Sequence, residues 1–220
     1  MRYFPAFLDL HEKRCIIVGA GQVAERKARI LLRAGAAVDV IGPALTSGLS
    51  ILKEKRKIRH RPRLYRSGDL AGAFLVVAAT DNRAVNERIA REAKKKNILL
   101  NVVDDPPLCN FIVPSWVERG DLLIALSTSG KSPALARSLR QRFEREIGPE
   151  YALWLNLLGE VRRKILPLGW GPKRKRTIFR WLVGENFQTC IQKKNFDELD
   201  RRLRKKLGPE FSLKNLGLRK

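Results

Sequence analysis

The sequence predicts a Rossmann-like α/β class, a doubly wound parallel sheet followed by a small basic helical region. Three observations carry this. Short apolar runs alternate with stretches of helical period over residues 14–103. The first run ends in Gly19-Ala20-Gly21 and leads straight into a helix. The alternation stops at Asp104-Asp105-Pro106-Pro107, where two prolines end regular structure.

The elements follow in order. Residues 14–18 (RCIIV) read as a buried strand. A helix is expected from Val23 to Arg33, with Val23, Ala24, Ala28, Leu31 and Leu32 on one face and Gly35 after its end. Residues 37–41 (AVDVI) form the second strand, closed by Gly42-Pro43. A helix over about 45–55 and a short strand near Ile58 follow. Residues 73–79 (AFLVVAA) are wholly apolar, which suits a central strand covered on both faces. A helix over 83–96, capped by Thr80 or Asp81, leads to a strand over 98–103. Beyond the prolines, FIVP (111–114) and DLLIALST (121–128) are strand-like. Ser132 and Pro133 open a helix that reaches about Ile147. Residues 150–220 read as helical and basic, with breaks at 167–172 and at Gly208-Pro209.

Composition excludes several classes. The 220 residues are 44% hydrophobic, too apolar for a disordered chain and long enough for one substantial core with an appendage. No run of apolar residues is long enough for a membrane span, and the N-terminal stretch is a poor signal peptide because Asp9 and Glu12 follow it closely. Cys15, Cys109 and Cys190 show no metal-site spacing and an odd count, and there are only 2 histidines. No metal ligand set is therefore expected, and a reducing, cytoplasmic location is the default expectation. The net charge of +23 asks for an anionic partner or a strongly solvated surface. Residues 159–220 hold 18 Lys/Arg against 6 Asp/Glu, but the rest of the chain is also basic. Charge alone does not separate nucleic acid from a polyanionic small molecule.

Gly19-Ala20-Gly21-Gln22-Val23-Ala24 has the form G-x-G-x-x-A in a strand–turn–helix setting. Gly19 permits the tight turn, Gly21 lets a diphosphate approach the backbone, and Ala24 lets helix and strand pack closely. The helix start at Gln22-Val23 offers free N–H groups to phosphate oxygens. Asp39 lies inside its strand rather than at its end, so contact with the nucleotide is expected instead through the Gly42-Pro43-Ala44 backbone. No arginine stands at that strand end to hold a 2′-phosphate, which favours NAD over NADP. Ala79 and Thr80 end the central strand and are small enough to lie beside the nicotinamide half. Asn101 to Asp105 end the next strand at the same rim, where an aspartate suits proton transfer; of the adjacent Asp104 and Asp105 only one is expected to serve, and Asp-Pro sequences also make plain turns. Ser127, Thr128 and Lys131 lie in a hydroxyl-rich loop before a helix. They can bind substrate carboxylates or simply cap the helix.

Taken together, the glycine loop through Ala28, then Ala79-Thr80-Asp81, Asn101–Asp104, Phe111–Ser115 and Ser132–Arg137, resemble the precorrin-2 dehydrogenase family, alone or as the N-terminal half of siroheme synthase. The resemblance covers about residues 3–147 and continues from Gly148 only in character. It implies NAD-dependent oxidation of precorrin-2 to sirohydrochlorin, and in some members ferrous iron insertion. It implies three regions: an NAD-binding domain over 1–113, a dimerisation segment over 114–148 and a helical domain over 149–220. The family's catalytic aspartate falls on Asp104, and its nucleotide contacts fall on Gln22, Val23, Pro43 and Ala44. A serine that is phosphorylated in some members is Thr128 here. The implied partners are a tetrapyrrole with eight carboxylates, which would use part of the positive charge, and a second copy of the chain. Membrane and nucleic acid are not expected. With the sequence ending at Lys220, the methyltransferase module fused in some siroheme synthases is expected to be supplied by another protein.

Two other readings compete. A nucleotide-sensing or nucleic-acid-binding regulator would show salt-steep binding without turnover. An unrelated oxidoreductase of this fold would not need the Asn101–Asp104 and Ser132–Arg137 segments.

Overall fold

The first unit of the chain, ending at Val113, contains five strands: β1 (Arg14–Val18), β2 (Ala37–Ile41), β3 (Ile58–Arg61), β4 (Leu75–Ala78) and β5 (Leu99–Val102). The computed structural model describes residues 3–218. All pairings in this sheet are parallel, in the order β3-β2-β1-β4-β5. Helices α1 (Gln22–Arg33) and α2 (Ser47–Glu54) and α3 (Arg83–Lys95) are the crossovers. Alternation along each strand feeds two cores. Cys15, Ile17, Val38, Val40, Leu75 and Val77 face Ala24, Ala28 and Leu31 of α1 and Leu49 of α2. Ile16, Val18, Ile41, Val76, Ala78, Leu100 and Val102 face Ile89 and Ala93 of α3. The inner strands β1, β2 and β4 are buried on both sides, which explains why they read as nearly continuous apolar runs, unlike the edge strand β3 with its Arg59, His60 and Arg61.

One buried carboxylate interrupts that pattern. Asp39, in the middle of β2, accepts from the guanidinium of Arg14 at 2.8 and 3.0 Å and has Arg61 at 3.8 Å. It is thus a structural ion pair and does not point toward the strand end. The 61–72 loop has a second ionic clamp. Asp69 takes two bonds from Arg63 and one each from Arg61 and the Arg66 amide. The Arg63 bond, ahead of the other contacts, holds its carboxyl down to about 2.

The sheet order reverses beside β1, between β2 and β4, and the β1–α1 loop and the end of β4 meet at that point. Gly19 has φ 112, and a Cβ there would lie 2.0 Å from the Ala79 carbonyl oxygen. Only glycine fits both the angle and the space.

The second unit, from Pro114 onward, opens with an antiparallel hairpin of β6 (Ser115–Arg119) and β7 (Leu122–Leu126), turning through Gly120 at φ 59. Among the described residues, five α-helices follow: α4 (Pro133–Glu146), α5 (Glu150–Ile165), α6 (Pro172–Gly184), α7 (Phe187–Gln192) and α8 (Phe196–Leu207). Leu157, Val161 and Ile165 of α5 and Leu199, Leu203 and Leu207 of α8 repeat every four residues. With Ile178, Leu182, Phe187 and Phe211 they make one helical core.

Some sequence expectations are corrected. FIVP (111–114) is not a strand; the first hairpin strand starts at Ser115, after Pro114 withdraws a backbone donor. The cap of α3 is Asn82, whose side chain accepts from the Val85 amide at 3.1 Å, rather than Thr80 or Asp81. The helical tail has further breaks after Gly184 and after Gln192, where Asn186 and Asn195 begin new helices. Ser132 caps α4 with Pro133 in its first turn, as expected.

Candidate functional site

At the start of α1, Gly21 takes the extended N-cap conformation and carries no capping side chain, so the first-turn amides of Gln22, Val23 and Ala24 are left to an external acceptor. A Cβ on Gly21 would meet nothing within 4 Å. Bare amides, an open approach and the positive end of a helix dipole fit a dinucleotide diphosphate. Glu25 in the same turn is neutralised: it accepts from Thr46 at 2.6 Å and from Arg29 at 2.7 Å, and these bonds, Thr46 first, lower its pKa.

The loop after β2 is fitted to the first. A Cβ on Gly42 would lie 2.7 Å from the Ala20 Cβ. Behind it, Nε2 of His60 bonds the Gly42 carbonyl at 2.8 Å. Pro43 and Ala44 are exposed at this edge. After β4, the half-buried Ala79 donates its amide to Val18 at 2.7 Å, and the Thr80 hydroxyl accepts from the Asn82 amide at 3.0 Å. Thr80 is therefore fixed, with its carbonyl bonded by Asn86 Nδ2 at 3.0 Å.

Asp104 comes two residues after β5 and is exposed in the left-handed region, at φ 59. Such a conformation is uncommon for a side-chain-bearing residue, though tolerated best by Asn and Asp. Asp105 is half-buried. Asn101 on β5 does not offer its amide nitrogen to the rim: it points that group at Cys109 Sγ (3.7 Å) and the Phe111 carbonyl (3.4 Å). Lys27, on the face of α1 near this turn, is a residue to which the sequence reading gave no role. Burial lowers its pKa first and Arg26 repulsion second, while Asp104 and Cys109 act in the opposite sense. The ammonium thus sits in the field of Asp104. An i, i+3 offset from Ala24 was its only signal in the sequence.

The rim of the sheet therefore gathers Gly19, Gly21, Gln22, Val23, Ala24, Pro43, Ala44, Ala79, Thr80 and Asp104, since all follow or end parallel strands or open their crossover helices, whereas Asn101 lies within β5 with its amide turned to Cys109 and Phe111. Ser127, Thr128 and Lys131 lie together in the second unit, on the loop before α4. That loop is self-bonded. Thr128 Oγ1 donates to the Ser132 carbonyl at 3.1 Å and accepts from its amide at 3.2 Å; Ser127 Oγ accepts from the Ser129 amide at 3.0 Å. Lys131 is exposed. Among the described residues no group of three or more His, Cys, Asp or Glu is arranged to hold a metal, and no helix is long and apolar enough to cross a membrane.

Comparison with known proteins agrees with this layout. The profile of a family described as putative NAD(P)-binding matches residues 6–115, and that of the sirohaem biosynthesis protein central region matches 119–146. Siroheme synthase of Nitrosospira multiformis is 44% identical over 195 residues, 87% of this chain and 41% of the relative. Siroheme synthase 1 of Serratia proteamaculans is 35% identical over 211 residues, 94% of this chain and 44% of the relative. The chain thus spans about two fifths of the length of these curated relatives. A solved structure of SirC, precorrin-2 dehydrogenase, has the same fold, with a TM-score of 0.76 at 24% identity, covering 90% of this chain and 100% of that one. Nothing in these matches supports the regulator reading. With half its length in the first profile and the start of its second unit in the other, the chain belongs to the putative NAD(P)-binding family, in the form that carries the sirohaem biosynthesis central region.

Proposed function

We propose that this chain oxidises precorrin-2 to sirohydrochlorin with NAD⁺, and that Asp104 is its catalytic base. The observation that carries the reading is an exposed carboxylate at the same sheet rim as a bare, uncapped glycine loop. Bound NAD⁺ supplies the hydride acceptor. The chain's own part is to orient it and to take the proton. Gly21 and the Gln22–Ala24 amides hold the diphosphate, Pro43 and Ala44 border the adenosine half, and Ala79 and Thr80 border the nicotinamide half. The substrate loses one hydride and one proton, and Asp104 Oδ accepts the proton and passes it to water.

Several features support the finer points. The cation beside the end of β2 is Arg61, in register with Ile41, and its guanidinium is already engaged by Asp69 and Asp39. This supports NAD rather than NADP. Ser127, Thr128 and Lys131 are assigned to the substrate's carboxylates, and the positive charge of the chain attracts them over distance. The two pyrrole protons displaced by entering ferrous iron need an acceptor, and Asp104 serves that reaction as well. Iron is then a substrate rather than a resident ion. The dimerisation role of 114–148 rests on exposed apolar side chains of the hairpin and α4, where Leu123 is 42% and Leu135 51% exposed. A cytoplasmic location accords with three free cysteines.

The test is anaerobic incubation with enzymatically made precorrin-2 and NAD⁺, followed by ferrous iron, with spectra at each stage. NADH formation with a sirohydrochlorin spectrum is expected, and Asp104→Ala should lose at least about a hundredfold in rate with NAD⁺ affinity kept. Full turnover in Asp104→Ala removes the base; NAD⁺ binding with untouched precorrin-2 removes the substrate.

A further inference from the structure

We propose that Cys109 and Asn110 are positioning residues that aim Asp104, an inference resting on the role given to Asp104 above. β5 is one of the two edge strands of the sheet, so one row of its backbone groups has no neighbouring strand. The chain leaves β5 at Val102, turns left-handed at Asp104, makes a single 3₁₀ turn over Pro106–Leu108 and comes back along that edge. On its return, two side chains do the work of a strand.

Asn110 reads β5 through three bonds. Its amide nitrogen donates to the Ile98 carbonyl at 2.8 Å, its Oδ1 accepts from the Leu100 amide at 2.7 Å, and its backbone N–H donates to the Leu100 carbonyl at 3.1 Å. Cys109 closes the last position. Its sulfur accepts from the Val102 amide at 3.1 Å, and its S–H has the carbonyls of Val102 at 3.3 Å and Asp105 at 3.4 Å as alternative acceptors. These contacts bracket Asp104 on both sides. Without them, Asp104 keeps the Val103–Ala78 backbone bond of 2.9 Å on its N-terminal side, while its C-terminal side is left with the Asp105–Val102 backbone contact of 3.5 Å, the Asn101–Phe111 bond and the bonds within the 3₁₀ turn. Burial, the largest influence, raises the thiol's pKa, so it remains a neutral donor and acceptor. A left-handed aspartate is a minority conformer of a free loop, and a closed loop makes it the populated one. The carboxylate then stands ready before substrate arrives, which is where a displacement of about 1 Å costs up to about a hundredfold in rate.

The experiment compares wild type with Cys109→Ala, Cys109→Ser, Asn110→Ala and Asp104→Ala in the full chain. Readouts are kcat and KM for precorrin-2, NAD⁺ affinity, Tm, and amide exchange over residues 98–105. Cys109→Ala should lose about tenfold or more in kcat, with KM and NAD⁺ affinity within about twofold. Its 98–105 amides should exchange at least about tenfold faster. Serine, which both donates and accepts, should restore most of kcat and of the protection; alanine at 110 should act like alanine at 109. Wild-type kcat in Cys109→Ala beside an inactive Asp104→Ala overturns this inference alone. Full turnover in Asp104→Ala overturns the reading beneath it. If no precorrin-2 is consumed by wild type, exchange decides: unchanged protection in Cys109→Ala overturns the clamp, and faster exchange rescued by serine upholds it. Should Cys109→Ala not fold, Asn110→Ala and Cys109→Ser carry the same comparison.

Discussion

The turn after β1 is shaped by side chains that are missing, the turn after β5 by side chains that reach in. At Gly19 and Gly21 the backbone is bare, one position because the Ala79 carbonyl already fills the space, the other because the space is kept open. At Asp104 the role we propose requires a side chain to be aimed, and Cys109 and Asn110 tie the flanking backbone to the sheet. A loop that receives phosphates with its own N–H groups needs nothing in the way. A loop that presents a carboxylate needs fixing from outside. A third loop, 61–72, is held by charge, through Asp69 and two arginines.

Three substitutions or conditions sharpen this comparison. Gly19→Ala should be the most damaging, because the Cβ lies 2.0 Å from a backbone oxygen at φ 112. A loss of at least about 3 kcal/mol is expected, from the strained conformation together with the overlap, and urea unfolding measures it. A variant as stable as wild type would mean that the loop is free to move away from β4. Gly21→Asp should separate stability from binding. Its Cβ meets no neighbour and its extended backbone suits an N-cap aspartate, so Tm should hold or rise slightly. NAD⁺ affinity by calorimetry should nevertheless fall at least about tenfold, because a carboxylate then faces the diphosphate. Unchanged affinity would leave the loop as a turn without a ligand. The smallest effect concerns acid. Asp69 titrates near 4 when unfolded and at about 2 when folded. A depressed carboxylate stabilises above its unfolded pKa, and that contribution is lost as pH falls from about 4 through about 2. About 1 to 2 kcal/mol should therefore disappear across this window, and Asp69→Asn should flatten it. The Cys109–Asn110 clamp contains no group that titrates there.

Much of the first unit was legible because its signals are local. β-branched runs, the Gly19–Ala24 pattern and the Ser132-Pro133 helix start each follow from neighbouring residues. The second unit was less so. Phe111–Pro114 has strand composition, but Pro114 and the return path along β5 decide against it. The breaks after Gly184 and Gln192 depend on Phe187 and Ile191 joining a core that includes α5 and α8, which a local pattern does not reveal. In the candidate site, the place after a strand pointed to Asp104 or Asp105 and the family resemblance chose Asp104; its left-handed turn was not legible, since nothing short of glycine announces that conformation. The role of Cys109 was hidden for the same reason: a lone cysteine reads as filler or metal ligand, and only the fold places its sulfur on Val102.

The covered edge of β5 has a second consequence. A parallel sheet with an open side offers a template on which a stray chain can add a strand, and from there molecules can stack into aggregates. Here Ile98, Leu100 and Val102 have already spent those bonds on Cys109 and Asn110. The short segment that would make the carboxylate reliable also makes this edge of the sheet a poor template for misfolded copies, leaving β3 as the other edge.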